Sequence, residues 1–128
     1  MTDTHGNASG LRVVDLSTLR ALGAETGLGT ERIAALFAEQ MVYQLEDLYA
    51  SIQSGSLRRV SDAAHRCLGS ATLAGMEQLS ALLRALATDP ACALHDPDAC
   101  VSAVEHEFAA AMNELQVLTE GADIGDVA

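Results

Sequence analysis

The sequence predicts an all-α protein, an antiparallel four-helix bundle with a short additional helix at its N-terminal end. Apolar residues recur at steps of three and four over several long segments, as on a helix face that packs against a core. No segment alternates polar and apolar residues as a half-buried strand does. The periodic segments have short connections, which favours antiparallel neighbours. Because 49% of the residues are hydrophobic but only 3% are aromatic, we expect a core of small aliphatic side chains.

The first two helices are predicted from their caps and their periodicity. Asp15 can cap a short first helix that Gly23 is expected to end, and this helix is expected to lie across one end of the bundle. Thr30 opens a long second helix, whose apolar pattern continues to Gln53. The glycine-containing turn at residues 54–56 then ends it.

Three further helices complete the bundle. Ser56 can cap the third helix, which is expected to end at Gly75. The fourth covers residues 76–87 and stops before Pro90, because the residue ahead of a proline is disfavoured in helical geometry. Pro97, at a first-turn position, opens the last helix.

All of these helices belong to one predicted domain, residues 12–120. Residues 1–11 are polar and contain glycine, so they are expected to form a disordered leader, and residues 121–128 a disordered tail. A chain with a tail at each end is expected to be a free-standing protein, with an excised domain of a larger protein as the alternative.

The negative net charge of the chain argues against nucleic-acid partners. The 7 basic residues are all arginines and face 18 acidic ones, which gives a formal charge of −11. Such a chain repels a phosphate backbone, so no nucleic-acid partner is expected. No stretch approaches the roughly 18 apolar residues of a membrane-spanning helix, and the start lacks the pattern of a signal peptide. We therefore expect a soluble, cytoplasmic protein without a membrane partner.

The three cysteines indicate neither a disulfide framework nor a metal site. The number of cysteines is odd, and no C-x-x-C pair occurs among Cys67, Cys92 and Cys100. This pattern fits thiols that stay reduced inside a cell and pack as small buried side chains. A zinc site near Cys92 would also recruit His95 and the two aspartates at 96 and 98. Only one C-x-x-H spacing is present there, however, and no second pair follows. No metal or cofactor is expected on this chain.

The third helix carries the candidate functional residue, His65. At about 100° per residue, Ala64 and Cys67 fall on the apolar face, whereas His65, Gly69 and Thr72 fall nearly opposite. Glycine in a helix interior costs roughly 0.5–1 kcal/mol relative to alanine, and Gly69 lies one turn beyond His65 on the same face. The missing side chain would let the surface of another protein approach the imidazole Nε2. Thr72 is expected to contribute to phosphate or partner contacts.

The chemistry of a phosphoryl group fits this face. An unperturbed imidazole is largely neutral and nucleophilic near pH 7, and histidine can carry a covalent intermediate. Arg58, Arg59 and Arg66 place three of the seven cations within one or two turns of His65. Arg58 and Arg66 are expected to support a phosphoryl group, whereas Arg59 could equally balance nearby acids.

These residues resemble a family signature. The run Ala64-His65-Arg66-Cys67-Leu68-Gly69-Ser70-Ala71, followed by Gly75, is similar to that of histidine-containing phosphotransfer (HPt) domains, which pass phosphoryl groups in multistep two-component relays. The similarity extends over most of the chain, from Val14-Asp15 to the leucines of the fourth helix.

The resemblance implies a phosphocarrier and not an autonomous enzyme. His65 would be the phosphoryl acceptor, and the partners would be receiver domains of response regulators or hybrid histidine kinases, whose aspartate and Mg²⁺ supply the catalysis. No Gly-rich loop for ATP is present in the sequence. Two positions depart from the family. Leu68 stands where lysine is usual and is expected to enlarge an apolar docking patch, and Ala87 stands where Glu or Gln often orients the imidazole.

A second function remains open. The chain could be a helical adaptor or dimerisation module that keeps the HPt shape and binds signalling partners without phosphotransfer. The missing lysine at Leu68 favours this alternative.

Overall fold

All regular structure is helical within the described part of the chain, which confirms the all-α prediction. The computed structural model describes the backbone of residues 11–127 and the side chains of residues 11–119, so residues 1–10 of the predicted leader lie outside it. The helices are α1 (Ser17–Thr26), α2 (Thr30–Ser54), α3 (Leu57–Leu73), α4 (Glu77–Thr88), α5 (Ala91–His95) and α6 (Pro97–Val127).

Four of these helices, α2, α3, α4 and α6, form the bundle. α3 packs between α2 and α4, and α6 closes the ring by packing against both of them. Turns of two residues between α2 and α3 and of three between α3 and α4 make these helices antiparallel. The ring encloses a core of fully buried aliphatic and sulfur-containing side chains, among them Met41, Leu48, Val60, Leu83 and Val104.

The segment ahead of α1 is held on the turn between α3 and α4. The amide of Asp15 donates a hydrogen bond to the carbonyl of Gly75 at 2.8 Å, and the amide of Gln78 donates to the carbonyl of Arg12 at 3.1 Å. Gly75, which follows the end of α3 as predicted, has a positive φ of 75°. A Cβ at this position would lie 1.8 Å from the carbonyl oxygen of Asp15. Both the conformation and the space therefore require glycine.

The start of α1 lies slightly later than predicted. Leu16, and not Asp15, occupies the N-cap position and makes no side-chain cap. The carboxylate of Asp15 accepts hydrogen bonds from the amide and the hydroxyl of Ser17. These bonds lower the pKa of Asp15, because they favour the ionised carboxylate.

The predicted end of α1 at Gly23 is wrong. The helix continues to Thr26, and Gly27, with a φ of 79°, forms a left-handed C-cap. Gly23 is buried within the helix, where a Cβ would lie 2.9 Å from the carbonyl oxygen of Leu28. This glycine therefore allows the following turn to pack closely against α1 and does not terminate the helix.

The chain between α4 and α6 also differs from the prediction. Residues Ala91–His95, expected in a loop, form α5, whose Ala93 is fully buried. Of the three cysteines expected to be buried, only Cys67 is so; Cys92 is exposed on α5 and Cys100 is half-buried.

The last helix extends past the predicted domain boundary. Its backbone is helical through Val127, so the disordered tail expected from residue 121 overlaps α6. None of the helices within residues 11–127 combines the length and the apolar character needed to cross a membrane.

Candidate functional site

Helix α3 is fixed by its cap and by one buried face. Ser56 caps it as predicted, because its hydroxyl accepts a hydrogen bond from the amide of Arg59 at 3.2 Å. On the core side, Val60, Ala64 and Cys67 are fully buried. α2 and α4 cover the two flanks of α3, so its fourth side faces solvent.

His65 lies on this solvent side, as the helical spacing predicts. Its side chain is exposed. No residue within the described range makes a hydrogen bond or an ion pair with the imidazole. The ring is therefore open to an approaching molecule, and residues 11–119 supply no group that fixes its orientation.

Gly69, one turn beyond His65, leaves open space beside the imidazole. A Cβ built at this position would meet no atom within 4 Å. The alternative explanation, a close contact between two helices of the bundle, is therefore wrong for this glycine. Unlike Gly75, Gly69 is not required by any contact with the residues that the structure describes.

Two hydrogen bonds define the flank of α3 that faces α4. The hydroxyl of Ser61 donates to the carbonyl of Ala87 at 2.7 Å, and the hydroxyl of Thr72 donates to that of Ser80 at 3.5 Å. His65 follows Ser61 by one turn on this side of the helix. The HPt resemblance implies that a side chain at position 87 would orient the imidazole. Here the backbone carbonyl of Ala87 accepts a hydrogen bond from Ser61, one turn before His65.

Leu68 lies on the same flank of α3, between His65 and Thr72. It is half-buried and packs against the hydrophobic core. Only part of its side chain is therefore available to the apolar docking patch that the sequence predicts.

The flank that faces α2 carries Arg66. Its guanidinium Nη2 lies 2.6 Å from Oδ2 of Asp47 on α2, and both side chains are about half-exposed. Arg66 follows His65 by about 100° around the helix, so the two side chains diverge. The structure thus separates Arg66 from the flank that His65 shares with Leu68 and Thr72.

The other predicted supporting cation is also engaged. Arg58 Nε lies 3.9 Å from Oδ2 of Asp62, one turn along α3, and its side chain is 91% exposed. An exposed pair of this kind is weak, worth about 0–1 kcal/mol, so Arg58 can exchange partners. Both predicted phosphate-supporting arginines therefore already have a carboxylate beside them.

Cys67 also lies on α3 and could act as a nucleophile only as a thiolate. Burial raises the pKa of its thiol to about 12; the Asp47 carboxylate adds to this shift, and Arg66 opposes it. The thiol is therefore protonated near neutral pH, and only thiolates are good nucleophiles. His65 is the nucleophile that α3 exposes to solvent.

Two residues near the site were not predicted from the sequence. The sequence gives no signal for Asp47, because its pairing with Arg66 depends on the register between α2 and α3. Arg84, an exposed cation on α4, lines a cleft next to Thr72. The one available signal for Arg84 was its position as the single cation of the leucine-rich fourth helix.

Within the part of the chain that the structure describes, no three or more His, Cys, Asp or Glu side chains are grouped to hold a metal ion. Comparisons with family models, curated proteins and solved structures find no match to this chain.

Proposed function

We propose that the protein is a phosphocarrier of a two-component phosphorelay. It would accept a phosphoryl group from a receiver-domain aspartate on His65 and pass it to a second receiver aspartate. The observation that carries this proposal is the exposed imidazole of His65 beside the open space at Gly69. The family signature around His65 supports the same function, and the relay partners imply a cytoplasmic location.

The proposed transfer is an in-line displacement. The lone pair of Nε2 attacks phosphorus, the bond from phosphorus to the aspartyl oxygen breaks, and the aspartate leaves as a carboxylate. The imidazole then carries a proton on Nδ1 and a phosphoryl group on Nε2. In the second step the carboxylate of another receiver attacks the phosphorus, and the imidazole leaves with its electron pair. Positioning and charge stabilisation dominate such transfers, and the partner's Mg²⁺ supplies most of the charge.

The residues around His65 have smaller roles in this proposal. Gly69 admits the partner's surface, and Thr72 offers a hydroxyl two turns along the same flank. Arg58 is held only by a long contact to Asp62, so it is the predicted cation most readily released to a phosphoryl group. Arg66 would have to leave its shorter contact with Asp47 first.

A transfer assay tests this function. Receiver domains from the source cell are phosphorylated with acetyl phosphate and Mg²⁺ and mixed individually with the protein, and the label on the protein is followed. We expect acid-labile label on the wild type and on His106→Gln, a matched variant of another exposed histidine. We expect none on His65→Gln. Equal labelling of both variants, or no labelling of the wild type by any receiver, would contradict the proposal.

The second candidate function is an adaptor that binds receivers without transfer. It is favoured by the carboxylate partners of Arg66 and Arg58 together with Leu68 in place of the usual lysine. The same mixtures distinguish it: an adaptor would form a complex with a receiver, detected by titration calorimetry, without acquiring label.

A further inference from the structure

A cleft lies beside the C-terminal end of α3, on the flank that carries His65. Its volume is about 270 Å³, and it is bounded by the segment ahead of α1, the end of α3 and the first turns of α4. Thr72 lines it, and Thr72 is seven residues from His65, a rise of about 10 Å along the helix. A protein that covers His65 and continues along α3 would therefore reach the cleft.

The charged side chains that line the cleft differ in whether they have a partner within the protein. Asp15 accepts hydrogen bonds from Ser17, and Oε1 of Glu77 accepts one from the amide of Arg12 at 2.9 Å. Arg84 is exposed, and no carboxylate of the described residues lies within ion-pair distance of its guanidinium. The cleft therefore presents one unpaired cation next to two engaged carboxylates.

Arg84 is directed toward the cleft by the geometry of its helix. Side chains of a helix tilt toward its N-terminus, so Arg84 projects toward Ser80 and Thr72, with which it lines the cleft. His65 tilts in the opposite direction along the antiparallel α3, toward Ser61.

We propose that Arg84 is a docking residue that binds a carboxylate side chain of the receiver domain that exchanges phosphoryl groups with His65. This inference rests on the proposed function. A planar guanidinium can bind a carboxylate through two parallel hydrogen bonds, which fixes orientation as well as contact. On a protein of charge −11, most of the surface disfavours an acidic group, so an unpaired cation beside the His65 flank selects one docking orientation.

The test compares charge reversals in the transfer assay. With a receiver that labels the wild type, Arg84→Glu is expected to lower kcat/KM about tenfold, through KM and with little change in kcat, because like charges then face each other. Arg84→Lys should retain most of the activity. The effect should shrink at high salt, because a rim ion pair is screened.

Two controls make the result specific. Arg32→Glu makes the same charge change at another exposed arginine, outside the cleft, and should leave kcat/KM within about twofold of the wild type. Phosphoramidate, a small phosphoryl donor that requires no docking, reports in each variant whether His65 still accepts a phosphoryl group.

The outcomes separate the two proposals. If receivers label the wild type but Arg84→Glu behaves like the wild type or like Arg32→Glu, the docking role of Arg84 is wrong and the phosphocarrier function stands. If no receiver labels His65 of the wild type, the phosphocarrier function is wrong, whether or not phosphoramidate labels it, and the docking role falls with it.

Discussion

In the proposed function, Gly69 serves a partner at the expense of the stability of the fold. A glycine in a helix interior loses more conformational freedom on folding than any other residue, and no internal contact of this chain requires it. Its position one turn from the exposed His65 fits the proposal that the glycine admits the surface of a partner. The stability and the transfer activity should therefore respond in opposite directions when a side chain is added here.

Gly69→Ala is expected to raise the free energy of unfolding by about 0.5–1 kcal/mol, because alanine is the better helix former and the added methyl group meets no atom. Urea denaturation followed by circular dichroism measures this change. A destabilised variant would show that the open space is filled in solution.

Gly69→Leu is expected to fold as stably as the wild type but to lose at least about tenfold in transfer from a receiver, because the larger side chain obstructs the surface beside the imidazole. Labelling by phosphoramidate should persist, since that donor is small. Undiminished transfer from the receiver would contradict the role assigned to this space.

The buried thiol of Cys67 is predicted to make the folded protein less stable at alkaline pH. Burial raises the pKa of this thiol from 9.0 to about 12 and that of the Tyr49 hydroxyl from 10.0 to about 12. At a pH between the ordinary and the raised pKa, the unfolded chain has released these protons while the folded chain retains them. The free energy of unfolding is therefore undiminished below about pH 9 and falls as the pH rises toward 12. Cys67→Ala should make this fall shallower, whereas Cys92→Ala, at an exposed position, should not. Urea midpoints at about pH 8 and pH 10.5 measure the difference; identical slopes in all three proteins would contradict it.

At the scale of the helices, the start of α3 and the turn after it could be predicted because their signals are local. Ser56 caps the helix through a residue three positions away, and Gly75 supplies a positive φ that only glycine adopts readily. At Gly23 the same reasoning fails, because the reason for glycine is the backbone of a later turn. α5 was missed because five residues are too few to show a period.

Gly75→Ala tests the turn between α3 and α4. It is the same substitution as Gly69→Ala, with the opposite expected effect on the free energy of unfolding. We expect a loss of at least about 2 kcal/mol in the free energy of unfolding, since alanine is strained at this φ and its Cβ would collide with the carbonyl oxygen of Asp15. The same urea titrations provide the measurement. A variant as stable as the wild type would show that the segment ahead of α1 does not rest on this turn in solution.

The pairing between helices was beyond prediction for a different reason. Periodicity assigns each residue to a face of its own helix, but it does not set how far one helix is displaced along another. The contact of Asp47 with Arg66 and the position of Arg84 beside Thr72 both depend on that displacement. The sequence therefore indicated the candidate histidine but not which side chains of the neighbouring helices lie beside α3.

The ring of four helices explains why His65 is accessible in the whole molecule. α2 and α4 flank α3 and the core lies behind it, which leaves one side of the helix in solvent, and His65 occupies that side. The bundle itself could be predicted, since long amphipathic helices with short turns have few ways to bury their apolar faces. The end of the domain could not, because α6 continues through Gly121, a residue that commonly ends a helix, to Val127.

The measurement that tests the central claim most directly is the location of the phosphoryl group after transfer from a receiver. Tandem mass spectrometry at alkaline pH, where phosphohistidine survives, would identify the modified residue. We predict modification of His65 alone, at near-stoichiometric level, with the exposed His95 and His106 unmodified. A phosphoryl group on any other residue, or an unmodified His65 in the presence of a receiver that binds the protein, would contradict the account.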